Sequence, residues 1–201
     1  MADTTAAADA HQRREPIPLL WRFAPAQFIS TLGSTMALLG VALVAYRTSG
    51  DSIFHTILVS AAYSFPAAVF GLRAGRLADE HHRTQILLWT YGLKMVTFGS
   101  MAVLGIMGVL DANWLILVSL VGGTLGAFSY PAWQEYVKDV FPGDRLDEVN
   151  ATFNTASSLA TLIGAVVGGL LITAFGTTPV FVLNVFSYLP LLFVFAITRP
   201  T

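Results

Sequence analysis

Gly75-Arg76-Leu77-Ala78-Asp79-Glu80-His81-His82-Arg83 is a charged stretch set between two long apolar segments. The flanking segments, about 53–72 and 86–110, contain no acid and, of lysines and arginines, only Lys94. Arg76, Asp79, Glu80 and Arg83 keep the stretch in water, whereas its neighbours are long and apolar enough to enter a bilayer. The spacing predicts a short charged turn joining two membrane helices.

Further apolar runs appear on both sides of this hairpin, at about 23–45, 114–130, 151–175 and 179–197. With the first two they make six, each near the ~20 residues a helix needs to cross the hydrocarbon core. Arg47–Asp51, Asp111–Asn113 and Gly176–Pro179 are the polar breaks between them. The chain is 55% hydrophobic and only 11% charged, where a soluble domain carries about a quarter charged residues. An all-α integral membrane domain over residues 19–199 follows. Residues 1–18 are polar and contain Pro16 and Pro18 without a signal-peptide pattern; they read as a flexible cytoplasmic tail.

Lysine and arginine set the orientation. Arg13, Arg14, Arg22, Arg73, Arg76, Arg83, Lys138, Arg145 and Arg199 fall on one side of a six-span topology, and Arg47 alone falls on the other. Both termini are therefore expected in the cytoplasm, in a plasma or inner membrane. Between the fourth and fifth spans, Trp133, Tyr136, Val137, Val140 and Phe141 recur at helical spacing opposite Gln134, Glu135, Lys138 and Asp139. This pattern predicts a short amphipathic helix lying on the membrane surface, ended by Pro142-Gly143. Asp144, Asp147 and Glu148 suit the positive end of the fifth helix.

Several function classes are disfavoured. A net charge of −1 and the absence of a basic patch argue against a nucleic-acid partner. There is no cysteine for a thiolate metal site, and His81 and His82 diverge on a helix and lie on the opposite side from His55. No Ser-His or paired-carboxylate set lies within the spans, so neither an enzyme nor a metal or cofactor site is expected.

Polar side chains do line up within the spans. Gln27, Ser30, Thr31 and Ser34 fall at offsets of three and four, as do Asn150, Asn154, Ser157, Ser158 and Thr161. Each stripe reads either as the wall of a path or as helix-to-helix hydrogen bonding. Tyr63 and Tyr188 read as cavity residues or as interface anchors. Lys94 lies eight residues after Ile86, about 12 Å along a helix. An ammonium there requires water, a partner or a route to the surface. It reads as a counter-charge for an anionic substrate or a coupling group, or else as a snorkelling or structurally paired lysine.

The stretch 75–83 resembles the loop joining the second and third helices of the major facilitator superfamily of secondary transporters. Gly75, Leu77, Ala78, Asp79 and Arg83 match its pattern, while Glu80 replaces a base and His82 a glycine. Ser30-Thr31-Leu32-Gly33, Pro131-Ala132-Trp133-Gln134, Asn150-Ala151, Asn154, Gly168-Gly169 and Asn184 extend the resemblance to nearly the whole chain. They are most similar to the exporter branch that includes the enterobactin exporter and the macrolide efflux proteins. Gly164, Gly168 and Gly169 fit the antiporter motif of the fifth helix, although Ala160 and Ala165 replace its first glycine and its proline. Close helix packing is the other reading of these glycines.

The resemblance implies two three-helix inverted repeats forming the N-terminal half of a twelve-helix transporter, with alternating access as the mechanism. Gln27, Ser34, Lys94 and Asn154 become candidate path residues. Gly75, Asp79 and Arg83 become a conformational motif at an interface with the second half. The implied partners are the bilayer, a second six-helix half (a second copy or a separate chain) and a small-molecule substrate, most often for efflux. A truncated or split gene product is expected; a non-transporting membrane scaffold is the alternative. No acid stands well inside a span, so any proton coupling would fall to Lys94 or to another polypeptide.

Overall fold

The computed structural model describes residues 19–50, 53–141 and 145–198. The N-terminal tail, Asp51, Pro142–Asp144 and Arg199 lie outside the described residues. Among the described residues seven helices form: α1 (Leu20–Thr48), α2 (Ile53–Glu80), α3 (Arg83–Ile106), α4 (Ala112–Val140), α5 (Leu146–Phe175), α6 (Thr178–Ser187) and α7 (Leu189–Ile197). With α6 and α7 taken together, six segments are long and apolar enough to cross a membrane. The protein is an all-helical, multi-pass membrane protein.

Local sequence explains the helix ends. The Asp111 carboxylate accepts from the backbone N–H of Ala112 and caps α4. Asp147 and Glu148 occupy the first turn of α5, where the helix dipole favours acids. Gly176 ends α5 at φ 80°, a conformation that glycine adopts at no steric cost. The last span is interrupted at Tyr188, because Pro190 supplies no backbone donor to the turn before it.

Two expectations are corrected. The charged stretch is mostly helix: α2 continues through Asp79 to Glu80, leaving only His81 and His82 between it and α3. Nothing between Arg73 and Glu80 stops a helix, and charges are accommodated once it leaves the hydrocarbon. Nor is there a separate surface helix after the fourth span. Residues 131–140 are the last turns of the 29-residue α4, whose ~44 Å length exceeds a ~30 Å hydrocarbon core. Its apolar face turns inward instead, so that Tyr136 and Val137 are fully buried. An amphipathic pattern does not tell lipid from protein as the covering surface.

The main helix contacts are α2 with α4, α1 with α5, α3 with α4, α1 with α6, and α3 with α6. Exchanging the first three spans with the last three maps this set onto itself, the relation expected of two inverted repeats. Two apolar clusters result. One, at the end formed by Phe23, Tyr136, Phe153 and Phe195, is built from edge-on rings such as Tyr136–Phe195 at 5.4 Å. The other gathers Met36, Val41, Met101, Leu115 and Phe181 toward the opposite end. The polar residues of the spans lie between them.

Candidate transport cavity

Two adjoining cavities occupy that middle zone. The smaller, about 220 Å³, is lined by Gln27, Ser30, Thr31 and Ser34 of α1, with Tyr63, Tyr91, Lys94 and Tyr188 among its other walls. The larger, about 980 Å³, adds Ser129 and Gln134 of α4 and Asn150, Asn154 and Ser157 of α5. Gln27, Tyr63, Tyr91 and Lys94 line both. Helical periodicity places each polar stripe on one face, and the bundle turns those faces toward a common space.

Lys94 sits at the midpoint of the 24-residue α3, about 16 Å from its first residue. The ammonium does not run along the helix to its end. It donates to the Ser129 hydroxyl at 2.8 Å and lies 4.6 Å from the centre of the Tyr91 ring, a cation–π distance. Ser129 in turn donates to the Gly126 carbonyl. On the opposite wall, the Ser34 hydroxyl is 3.2 Å from that of Tyr188 and 3.5 Å from the buried Asn184 amide oxygen. The Gln27 amide nitrogen reaches Thr31 at 3.5 Å, and its oxygen is buried without a partner.

All four sequence-derived path residues therefore meet: Gln27, Ser34 and Lys94 around the smaller space, and Gln27, Lys94 and Asn154 around the larger. Ser158 and Thr161 line neither. Sequence reasoning missed Tyr91 and Ser129. Tyr91 is three residues before Lys94 and so shares its helix face; nothing local marks Ser129 as the partner of a residue on another helix.

The remaining motif residues lie elsewhere. The Arg83 guanidinium pairs with Asp139 at the end of α4 and donates to the Ala78 carbonyl at the end of α2, fastening three helices. Asp79 is exposed, and no ion pair reaches it among the described residues. At Gly75 and Gly169 an added Cβ would meet nothing, whereas at Gly164 and Gly168 it would press on Leu32 and Met36 of α1.

The family described as transmembrane secretion effector matches residues 12–201. An uncharacterized MFS-type transporter of Mycobacterium tuberculosis is 29% identical over 180 residues, covering 89% of this chain and 30% of the relative. A multi-drug resistance efflux pump, a PmrA homolog of Lactococcus lactis, is 33% identical over 125 residues, 61% of this chain and 29% of that protein. The chain thus spans about 30% of the length of the curated relatives it matches.

Proposed function

We propose that this chain, which belongs to the transmembrane secretion effector family of major facilitator transporters, forms the first six-helix half of a secondary transporter exporting small molecules by alternating access. The observation that carries this reading is the convergence of Gln27, Ser34, Lys94 and Asn154 on adjoining mid-bundle cavities. A polar surface at that depth is costly against lipid; a facing second half makes it the wall of a water-filled path. The helices flanking it leave large apolar side chains exposed, Phe65 and Leu72 on α2 and Leu162 and Val166 on α5. A second half, whether another copy or another polypeptide segment, would cover part of these faces and rock against them as a rigid body.

Efflux follows the efflux pump among the relatives. Of the described arginines and lysines, Arg22, Arg73, Arg76, Arg83, Lys138 and Arg145 gather at one end of the bundle, which we assign to the cytoplasm, while Arg47 lies at the other end and Lys94 between. Proton coupling, where it operates, would involve Lys94 or a group on the second half. The test is energised export of a panel of fluorescent small molecules from cells producing the protein. Faster efflux than in cells lacking it, abolished by collapsing the ion gradients, is expected. Identical efflux in both cell types across the panel would favour a scaffold without transport.

A further inference from the structure

We infer that the Lys94 pocket is a recognition site for an organic anion: a flat or aromatic molecule carrying one carboxylate or comparable acidic group. The inference rests on the transport reading and names the substrate class that the same cavity takes. It starts from charge. Among the described residues, neither cavity has an Asp or Glu in its lining, and Lys94 is the only charged residue in either. The groups facing the ammonium are the Ser129 hydroxyl, the Tyr91 ring and the amide and hydroxyls of α1, all neutral.

An ammonium has three donors. One is used by Ser129, whose own proton goes to the Gly126 carbonyl, and the Tyr91 ring covers one side. Among the described residues the ammonium makes no other hydrogen bond, and Lys94 lines both cavities. A charge at mid-membrane without a counter-charge is expensive, and an incoming anion offsets that cost with charge-assisted hydrogen bonds. A cationic substrate would meet like charge at close range, which disfavours it by the same electrostatics.

The surroundings fit the remainder of such a ligand. Tyr63, Tyr91 and Tyr188 supply ring faces and edges, with Tyr91 and Tyr188 set edge to face at 5.7 Å. Gln27 lines both cavities and adds a neutral polar group to their walls. At about 980 Å³ the larger space admits a molecule of drug-like size.

The test compares 1-naphthoate with its uncharged analogue 1-naphthamide, by calorimetric titration of the purified protein in uncharged detergent at neutral pH. The expected result is a preference for the acid of tenfold or more, as a charge-assisted hydrogen bond supplies. Lys94→Met should remove the preference, binding acid and amide equally weakly; Lys94→Gln gives the same readout where the methionine variant fails to fold. Equal binding of acid and amide by the wild type, absence of binding by both, or a preference that survives loss of Lys94 overturns the assignment. A Lys94-dependent preference in a protein that exports nothing supports the anion site and contradicts the transport reading instead.

Discussion

The Lys94 ammonium on α3 donates to the Ser129 hydroxyl on α4 at 2.8 Å, joining two helices at mid-bundle beside a cavity whose lining, among the described residues, contains no acid. Hydrogen bonds between membrane helices contribute about 0.6 kcal/mol on average and up to about 1.7 kcal/mol. Ser129→Ala should therefore destabilise the protein by about 0.5–2 kcal/mol in thermal unfolding in detergent. An unchanged melting temperature would mean that water replaces the hydroxyl fully.

Gly164 and Gly169 make opposite predictions. A side chain at Gly164 meets the Leu32 carbonyl and Thr35, so Gly164→Leu should force α5 from α1 and cost about 1–3 kcal/mol. Gly169→Ala meets nothing and should be neutral or slightly stabilising, through better helix propensity. Equal melting temperatures for the two variants would contradict the α1–α5 contact.

Tyr136 ties α4 to the end of α7. Its hydroxyl donates to the Thr198 carbonyl at 3.0 Å, while its ring is fully buried among Phe23, Trp133 and Phe195. Tyr136→Phe should cost about 0.5–1.5 kcal/mol, the lost hydrogen bond alone. Tyr136→Ala should cost about 3–5 kcal/mol, because it also empties the ring site. Near-equal losses would place the residue on the surface, as the amphipathic spacing of Trp133 to Phe141 alone suggests.

That residue shows where the sequence was and was not sufficient. Span number, polar stripes and the depth of Lys94 are local properties, legible from period and run length in one dimension. Whether Trp133 and Tyr136 face lipid or protein depends on what α1 and α7 bring alongside. The pairing of Lys94 with Ser129, or of Ser34 with Tyr188, depends likewise on how helices distant in sequence meet. Charge was misleading in the stretch 75–83, because residues that leave the membrane need not leave the helix.

Asp79 is exposed at the end of α2, beside Arg83, which already has its partners in Asp139 and Ala78. A motif acid without an internal role fits contact with a second half. Asp79→Asn should lower export several-fold while leaving melting temperature and membrane insertion unchanged. Wild-type export by that variant would remove Asp79 from the mechanism.

The central claim is that α1, α3 and α5 wall a water-filled path, and thiol labelling tests it most directly because the chain has no cysteine of its own. Ser34→Cys, Asn154→Cys and Phe186→Cys, the last on an exposed apolar face of α6, would be treated in membranes with a membrane-impermeant maleimide. The account predicts rapid labelling at positions 34 and 154 and none at 186. Unreactive thiols at both 34 and 154, in protein that labels normally at a surface control, would contradict it.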